Sequence, residues 1–226
     1  NAFYVPKPKM SSLCRYLSSG LDVRLQTRIE KIESHKGKSV LYTINETIGE
    51  FDWVVSAIPS HQVIEIMPES FSHKESIRNI KMQACYALML GFKNTMDIKW
   101  DAAKISGYDI GWIAINSSKP ERSSDYAIIA HSTNSWAEDN IDNPPDEVKI
   151  HLLSELSEIL GINPNLAQRV DLHRWRYANV FYQRSEGAFI DFQNSLVACG
   201  DWCIEGRVEA AFTSAYYLVE KIKDRL

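Results

Sequence analysis

The sequence predicts a mixed fold, α/β plus α+β, in which one domain is split by a second inserted into it. Three observations predict it. First, β-branched or apolar runs that end at a Pro or a Gly stand near both ends of the chain, "DWVVSAIPS" and "LVACGDW", the pattern of buried strands whose C-terminal ends lie near a ligand. Second, the later run leads straight into a helix-length segment. Third, the stretch between them is rich in strands and holds one long helix. With 226 residues, 45% of them hydrophobic and 24% charged, the chain is long enough for two small domains. The expected division is residues 3–66 with 195–226 as one domain and 67–194 as the insert.

The elements follow in order. "YVPKPKM" is extended and punctuated by Pro, and Ser11 or Ser12 caps a short helix with Leu13, Tyr16 and Leu17 on one side, ended by Gly20. "LDVRLQTRIEKIES" alternates as a strand, "KSVLYTIN" supplies its partner beyond the turn at Gly37, and "GEFDWVVSAIPS" supplies a buried strand. After short helices in "HQVIEIMP" and "SHKESIRNIKM", the chain runs into the strands "ACYALMLGFK", "DIGWIAINSSKPER" and "DYAIIAHSTNSWAEDN". "NPPDEVKIHLLSELSEIL" is the clearest helix, with Asn143 as its cap and an apolar stripe of Val148, Leu152, Leu153, Leu156, Ile159 and Leu160. The strand "RVDLHRWRYANV" and the segment "GAFIDFQNSLVACG" lead to a closing helix from about Gly206, with Val208, Ala211, Phe212, Ala215, Val219 and Ile222 inward.

Bulk properties exclude several classes. A net charge of −4 gives no footprint for nucleic acid or an anionic membrane. No apolar run approaches the ~18 residues of a membrane span. Four scattered cysteines, Cys14, Cys85, Cys199 and Cys203, suit reduced thiols in a cytoplasmic protein rather than a disulfide scaffold. Cys199 and Cys203 form C-x3-C with no matching second pair, so no metal site is expected. No G-x-S-x-G is present either. The chain opens on Asn1-Ala2 rather than Met, which reads as a processing scar on a piece of a longer protein.

Near the C-terminus, a glycine at a strand end, Gly200, allows close backbone approach to a ligand. The adjacent Asp201 can accept hydrogen bonds from sugar hydroxyls. The helix that follows offers free N–H groups for a phosphate or a developing negative charge. The same residues also suit a plain strand-to-helix turn. The context extends them. "YVPKPKMSSLCRYL", Phe51-Asp52 through Ala57 and Pro59, His131 with Thr133 and Trp136, "HRWRYA" (His173 to Ala178) and "GDWCIEGRVEAAFTSA" occur in one register. Together they resemble the renalase-like branch of the FAD-dependent amine oxidase superfamily, from Tyr4 to Ile222. The sequence departs from that pattern at Lys9, which stands where the family has glycine before Met10, and at Ala210 and Ala215, which also replace glycines.

The resemblance implies a two-domain flavoprotein of the amine oxidase type. Gly200 and Asp201 would face the pyrophosphate and ribityl chain of FAD, and Arg207, Val208, Glu209 and Ala210 the isoalloxazine. Thr27 would meet the adenine through its backbone, with Ala57 near the nucleotide. The family opens with a GxGxxG unit for the ADP half of FAD, and the 10 glycines of this chain form no such motif. The sequence is therefore expected to be the C-terminal portion of a flavoenzyme lacking its N-terminal nucleotide-binding segment. FAD belongs to the intact protein, and this portion alone is expected to be inactive. The intact protein would oxidise an amine or a dihydropyridine by hydride transfer to flavin, with oxygen as acceptor. The alternative is a flavin-free domain that binds a ligand or protein, its exposed apolar surface covered by self-association.

On the substrate side, His173, Trp175 and Tyr177 share one face of a strand and Arg174 and Arg176 the other. The first face suits an aromatic pocket for a small planar substrate and the second a phosphate, while core packing and a solvated sheet edge explain them equally. Trp202, beside the glycine-acid turn, is a further pocket candidate. No residue is assignable as catalytic from the sequence.

Overall fold

The computed structural model describes residues 4–35, 37–123, 125–181 and 187–225. Along the chain run α1 (Ser12–Leu17), β1 (Lys31–His35), β2 (Lys38–Tyr42), β3 (Thr47–Phe51), β4 (Val54–Ser56), α2 (Ser60–Ile66), α3 (Lys74–Arg78), β5 (Met82–Phe92), β6 (Ala102–Lys104) and β7 (Ile110–Ile115). They are followed by β8 (Tyr126–Ser132), α4 (Asn134–Asp139), α5 (Pro145–Leu160), β9 (Ala167–Val180), β10 (Ala188–Asp191), β11 (Leu196–Cys199) and α6 (Val208–Ile222). This is the mixed α/β architecture expected. The chain forms two compact units, Arg24–Gln83 with Tyr177–Leu226 and Asn1–Val23 with Ala84–Arg176.

In the first of these units, β1, β2 and β3 form an antiparallel meander. A separate sheet has the order β10-β11-β4, in which β11 pairs antiparallel with β10 and parallel with β4. All four residues of β11 are buried, as the apolar run "LVAC" requires. Ile32, Val54, Val63, Phe71, Leu196 and Trp202 contribute to one core cluster, and Val197, Leu218 and Ile222 to a second that packs α6 down.

The other unit is a five-stranded sheet of order β6-β7-β8-β5-β9. Its core joins Leu88, Leu90, Ile113 and Ile128 of the sheet to Val148, Leu152 and Leu156 of α5. Gly161, at φ 63°, closes α5 in the left-handed conformation that glycine adopts without strain.

Five local expectations are corrected. The strand expected across 21–34 begins only at Lys31, because Gln26 turns left-handed at φ 55° and backbone pairing starts with Glu30 N–H on Tyr42 C=O. β6 was not anticipated. The strand expected across 125–140 stops at Ser132, since Thr133 accepts from the Trp136 N–H and caps α4. Asn143 does not cap α5. Pro144 holds that place, and Asn143 Nδ2 donates instead to Asn140 Oδ1 at 2.8 Å.

The fifth correction concerns α6. Its buried side chains are Ala210, Ser214, Leu218 and Ile222, whereas Val208, Phe212 and Val219, expected inward, are 63%, 65% and 51% exposed. Small residues face inward because the helix lies close to glycine backbone: Ser214 Oγ donates to Gly187 C=O and accepts from Gly200 N–H.

Candidate functional site

The parallel pairing of β4 and β11 puts their C-terminal ends on the same edge of one sheet. In open α/β sheets this edge is where ligands bind. Ala57-Ile58-Pro59 follow β4, and Gly200-Asp201 follow β11. The two loops are tied together by Trp202, whose Nε1–H donates to Ile58 C=O at 2.9 Å.

A cavity of about 400 Å³ opens beside β4, within the size range of small-molecule sites. Thr27 and Ile29 line it on one side, Ser56 and Ala57 at the strand end, and Gln62 and Glu65 from α2. The structure thus brings together Thr27 and Ala57, two residues expected at the nucleotide. Ser56 is 6% exposed, and among the described residues its buried Oγ has no hydrogen-bond partner, which costs about 1–3 kcal/mol. Gln62 and Glu65 were not picked out in the sequence. The usable clue was their spacing of three on the helix that starts at the A-x-P strand end.

Gly200 has φ 157° and ψ 176°. A Cβ there would meet the Trp202 indole Nε1 at 2.6 Å, so glycine is required by contact as well as by conformation. Asp201 opens a single 3-10 turn, Asp201–Cys203, and its Oδ1 accepts from Trp202 N–H at 2.9 Å. Burial pushes the Asp201 carboxyl above its ordinary range, and hydrogen bonds from backbone N–H groups only partly oppose that. A partly buried carboxylate with remaining acceptor capacity suits a hydroxyl-bearing ligand.

The N-terminus of α6 has no side-chain cap, and its N-cap is Arg207. Orphan N–H groups there favour negative charge. Arg207, Val208 and Glu209 are exposed, and Ala210 is buried. Arg207 also lies 3.7 Å from the Glu205 carboxylate. Glu209 supplies one negative charge of its own to this end.

Trp202, expected at a substrate pocket, is 1% exposed. It stacks on Phe189 at 5.8 Å and 16° within the core. His173 and Trp175 are exposed on β9, the edge strand of the five-stranded sheet, and meet edge-to-face with centroids 4.2 Å apart. Arg174 donates to Ile141 C=O, and Arg176 pairs with Asp142 at 2.6 Å. Both therefore brace the loop between α4 and α5. Tyr177 belongs to the other compact unit, where it stacks on His61 at 5.1 Å and 16°.

The model of the flavin-containing amine oxidoreductase family matches residues 4–222. The chain belongs to this family. Among solved structures it is similar to one provisionally assigned as a protoporphyrinogen oxidase from Exiguobacterium sp. 255-15, at 17% identity and a TM-score of 0.75 over 96% of this chain and 51% of that one. It is similar to cyclohexylamine oxidase from Brevibacterium oxydans IH-35A, at 12% identity and a TM-score of 0.60 over 88% of this chain and 49% of that one. A putrescine oxidase redesigned in cofactor binding matches at 10% identity and a TM-score of 0.64, over 92% of this chain and 52% of that one. The chain thus spans about half the length of these amine oxidoreductase-type structures, with their fold. Among the described residues no helix is long and apolar enough to cross a membrane.

Proposed function

We propose that this chain supplies part of the cofactor site and the substrate side of an FAD-dependent oxidoreductase of the renalase-like branch. In that enzyme an amine or a dihydropyridine-type substrate is oxidised by hydride transfer, with oxygen as acceptor. The observation that carries the proposal is the shared edge of β4 and β11, with a cavity that gathers Thr27 and Ala57 and a glycine-acid turn beside it. Family membership supports the redox reading over a flavin-free binding domain. FAD, when bound, supplies the electron-accepting chemistry.

The residues present fit such a group. The cavity would hold the adenine end against Thr27 and Ala57. Asp201 accepts from sugar hydroxyls of the linking chain. The uncapped α6 N-terminus, at Arg207 to Ala210, favours the electron-rich end of the cofactor. His173 and Trp175 offer an aromatic face to a planar substrate, and Trp202 fixes the loop after β4. In this reading the cofactor side is assigned to 3–66 and 195–226 and the substrate side to 67–194, the division read from the sequence.

The test supplies the FAD-loaded intact protein, of which this chain is expected to be one portion, with a panel of primary amines and with reduced nicotinamides, and follows oxygen uptake and peroxide. Turnover of either class supports the proposal. Flavin-loaded protein inert to both classes overturns it.

A further inference from the structure

Asp109, His151 and Glu155 form a second constellation, within the unit built on the five-stranded sheet. Asp109 directly precedes β7. His151 and Glu155 stand one turn apart on α5 and so share a face. The Glu155 carboxylate is held by the Asp109 and Ile110 N–H groups, at 3.0 and 2.9 Å. The Asp109 C=O accepts from Thr133 N–H at 2.6 Å, which fixes the aspartate backbone. The His151 ring lies flat on Trp136, with centroids 4.9 Å apart and planes at 13°, and its Nε2 is 2.7 Å from Asp109 Oδ2. One donor atom from each of the three residues lies within 4.8 Å of the others.

We propose that these three residues bind a divalent transition-metal cation of the zinc class. An imidazole nitrogen with two carboxylate oxygens is a donor set for zinc, whereas calcium and magnesium sites are built from oxygen alone. Zinc bonds of about 2.1 Å at the tetrahedral angle set donors roughly 3.4 Å apart. The His151–Asp109 contact therefore widens by less than about 1 Å on binding. Glu155 keeps a free lone pair on each oxygen after both backbone bonds are made. The backbone clamp on Glu155 and the Trp136 stack on His151 preset two of the three donors, which limits the ordering cost of binding. Two carboxylates beside one imidazole ligand also present negative charge for the cation to offset. The site is accessible, since the His151 and Asp109 side chains are 45% and 37% exposed.

The test is calorimetric titration of zinc chloride into metal-free wild type, His151→Phe and Asp109→Asn. Thermal melts of the same proteins without metal report folding. His151→Phe keeps an aromatic ring against Trp136 and removes the donor. The expected result is one equivalent bound by wild type at micromolar or tighter affinity, weakened by at least roughly tenfold in each variant, the loss that even an outer-shell partner produces. No binding by wild type at about 1 mM zinc, or equal binding by all three proteins, overturns the proposal. Imidazole NMR of wild type provides a second readout that needs no variant: the His151 resonances shift on zinc addition if the site is real, and unmoved resonances refute it.

Discussion

The Trp202 indole Nε1 donates to Ile58 C=O at 2.9 Å, so the loop after β11 and the loop after β4 are fixed by a single side chain. The ring is held in turn by its stack on Phe189. Trp202→Phe keeps much of the packing and removes the donor, which leaves a carbonyl unpaired. The expected cost is about 1–3 kcal/mol of stability, read as a lower urea midpoint with unchanged slope. Weaker nucleotide binding should accompany it, because the loop bearing Ala57 loses its tie.

Gly200→Ala meets both a strained backbone and a blocked space. The new methyl collides with the Trp202 indole, and φ 157° is a region that side chains avoid. A loss of at least about 1–3 kcal/mol is expected, measured by thermal or urea unfolding. Gly37→Ala tests the second term, since its Cβ would meet nothing within 4 Å at φ 82°. It should cost less than Gly200→Ala.

Two aspartates give opposite pH signatures. Burial raises the Asp201 carboxyl, so the folded state holds the proton longer than the unfolded one. Stability from this group falls as pH rises from about 3.9, the unfolded value, to the elevated folded value. Asp201→Asn should therefore gain on wild type across that window. For Asp191, burial alone also raises the carboxyl, but hydrogen bonds from Asn194 and Ser72 outweigh it, and the net shift is downward. Its stabilisation is complete above about 3.9 and is lost as pH falls through the lowered folded value. Asp191→Asn should match wild type in strong acid and fall behind above it. Urea melts from acid to neutral pH check both signs.

The four thiols should separate by access. Cys14 is exposed, Cys85 intermediate, and Cys199 and Cys203 buried. Burial pushes Cys203 up to about 12 and also raises Cys199 and Cys85. Reaction with a disulfide reagent at neutral pH should modify Cys14 first, and Cys199 and Cys203 only on unfolding. Early modification of Cys203 would contradict the packing around the turn.

The two strand ends were legible because buried runs stopped by Pro59 and Gly200 have a physical signature that needs no partner to read, whereas their parallel pairing was not read from the sequence. The inward face of α6 was misread for an equally physical reason. The helix carries two apolar stripes, and side-chain size favours Val208, Phe212 and Val219, but the buried stripe is Ala210, Ser214, Leu218 and Ile222, fixed by the Ser214 hydroxyl between Gly187 C=O and Gly200 N–H. Asn143 has the chemistry of a cap, yet the helix starts at Pro145, so Pro144 holds the N-cap place and Asn143 lies one residue outside it. Gln62, Glu65 and the Asp109–His151–Glu155 cluster depend on which elements meet in space. His151 and Asp109 are 42 residues apart, and no spacing rule links them.

The most direct test of the central claim is a titration of the 226-residue chain with FAD, alongside Ala57→Leu and Asp201→Ala, followed by flavin fluorescence. Ala57→Leu fills the cavity, and Asp201→Ala removes the sugar acceptor. A chain without the GxGxxG unit should bind only weakly, with a Kd of about 1 mM, roughly −4 kcal/mol, and each substitution should weaken that binding. No saturable binding, or binding indifferent to both substitutions, would contradict the assignment of this sheet edge to the cofactor.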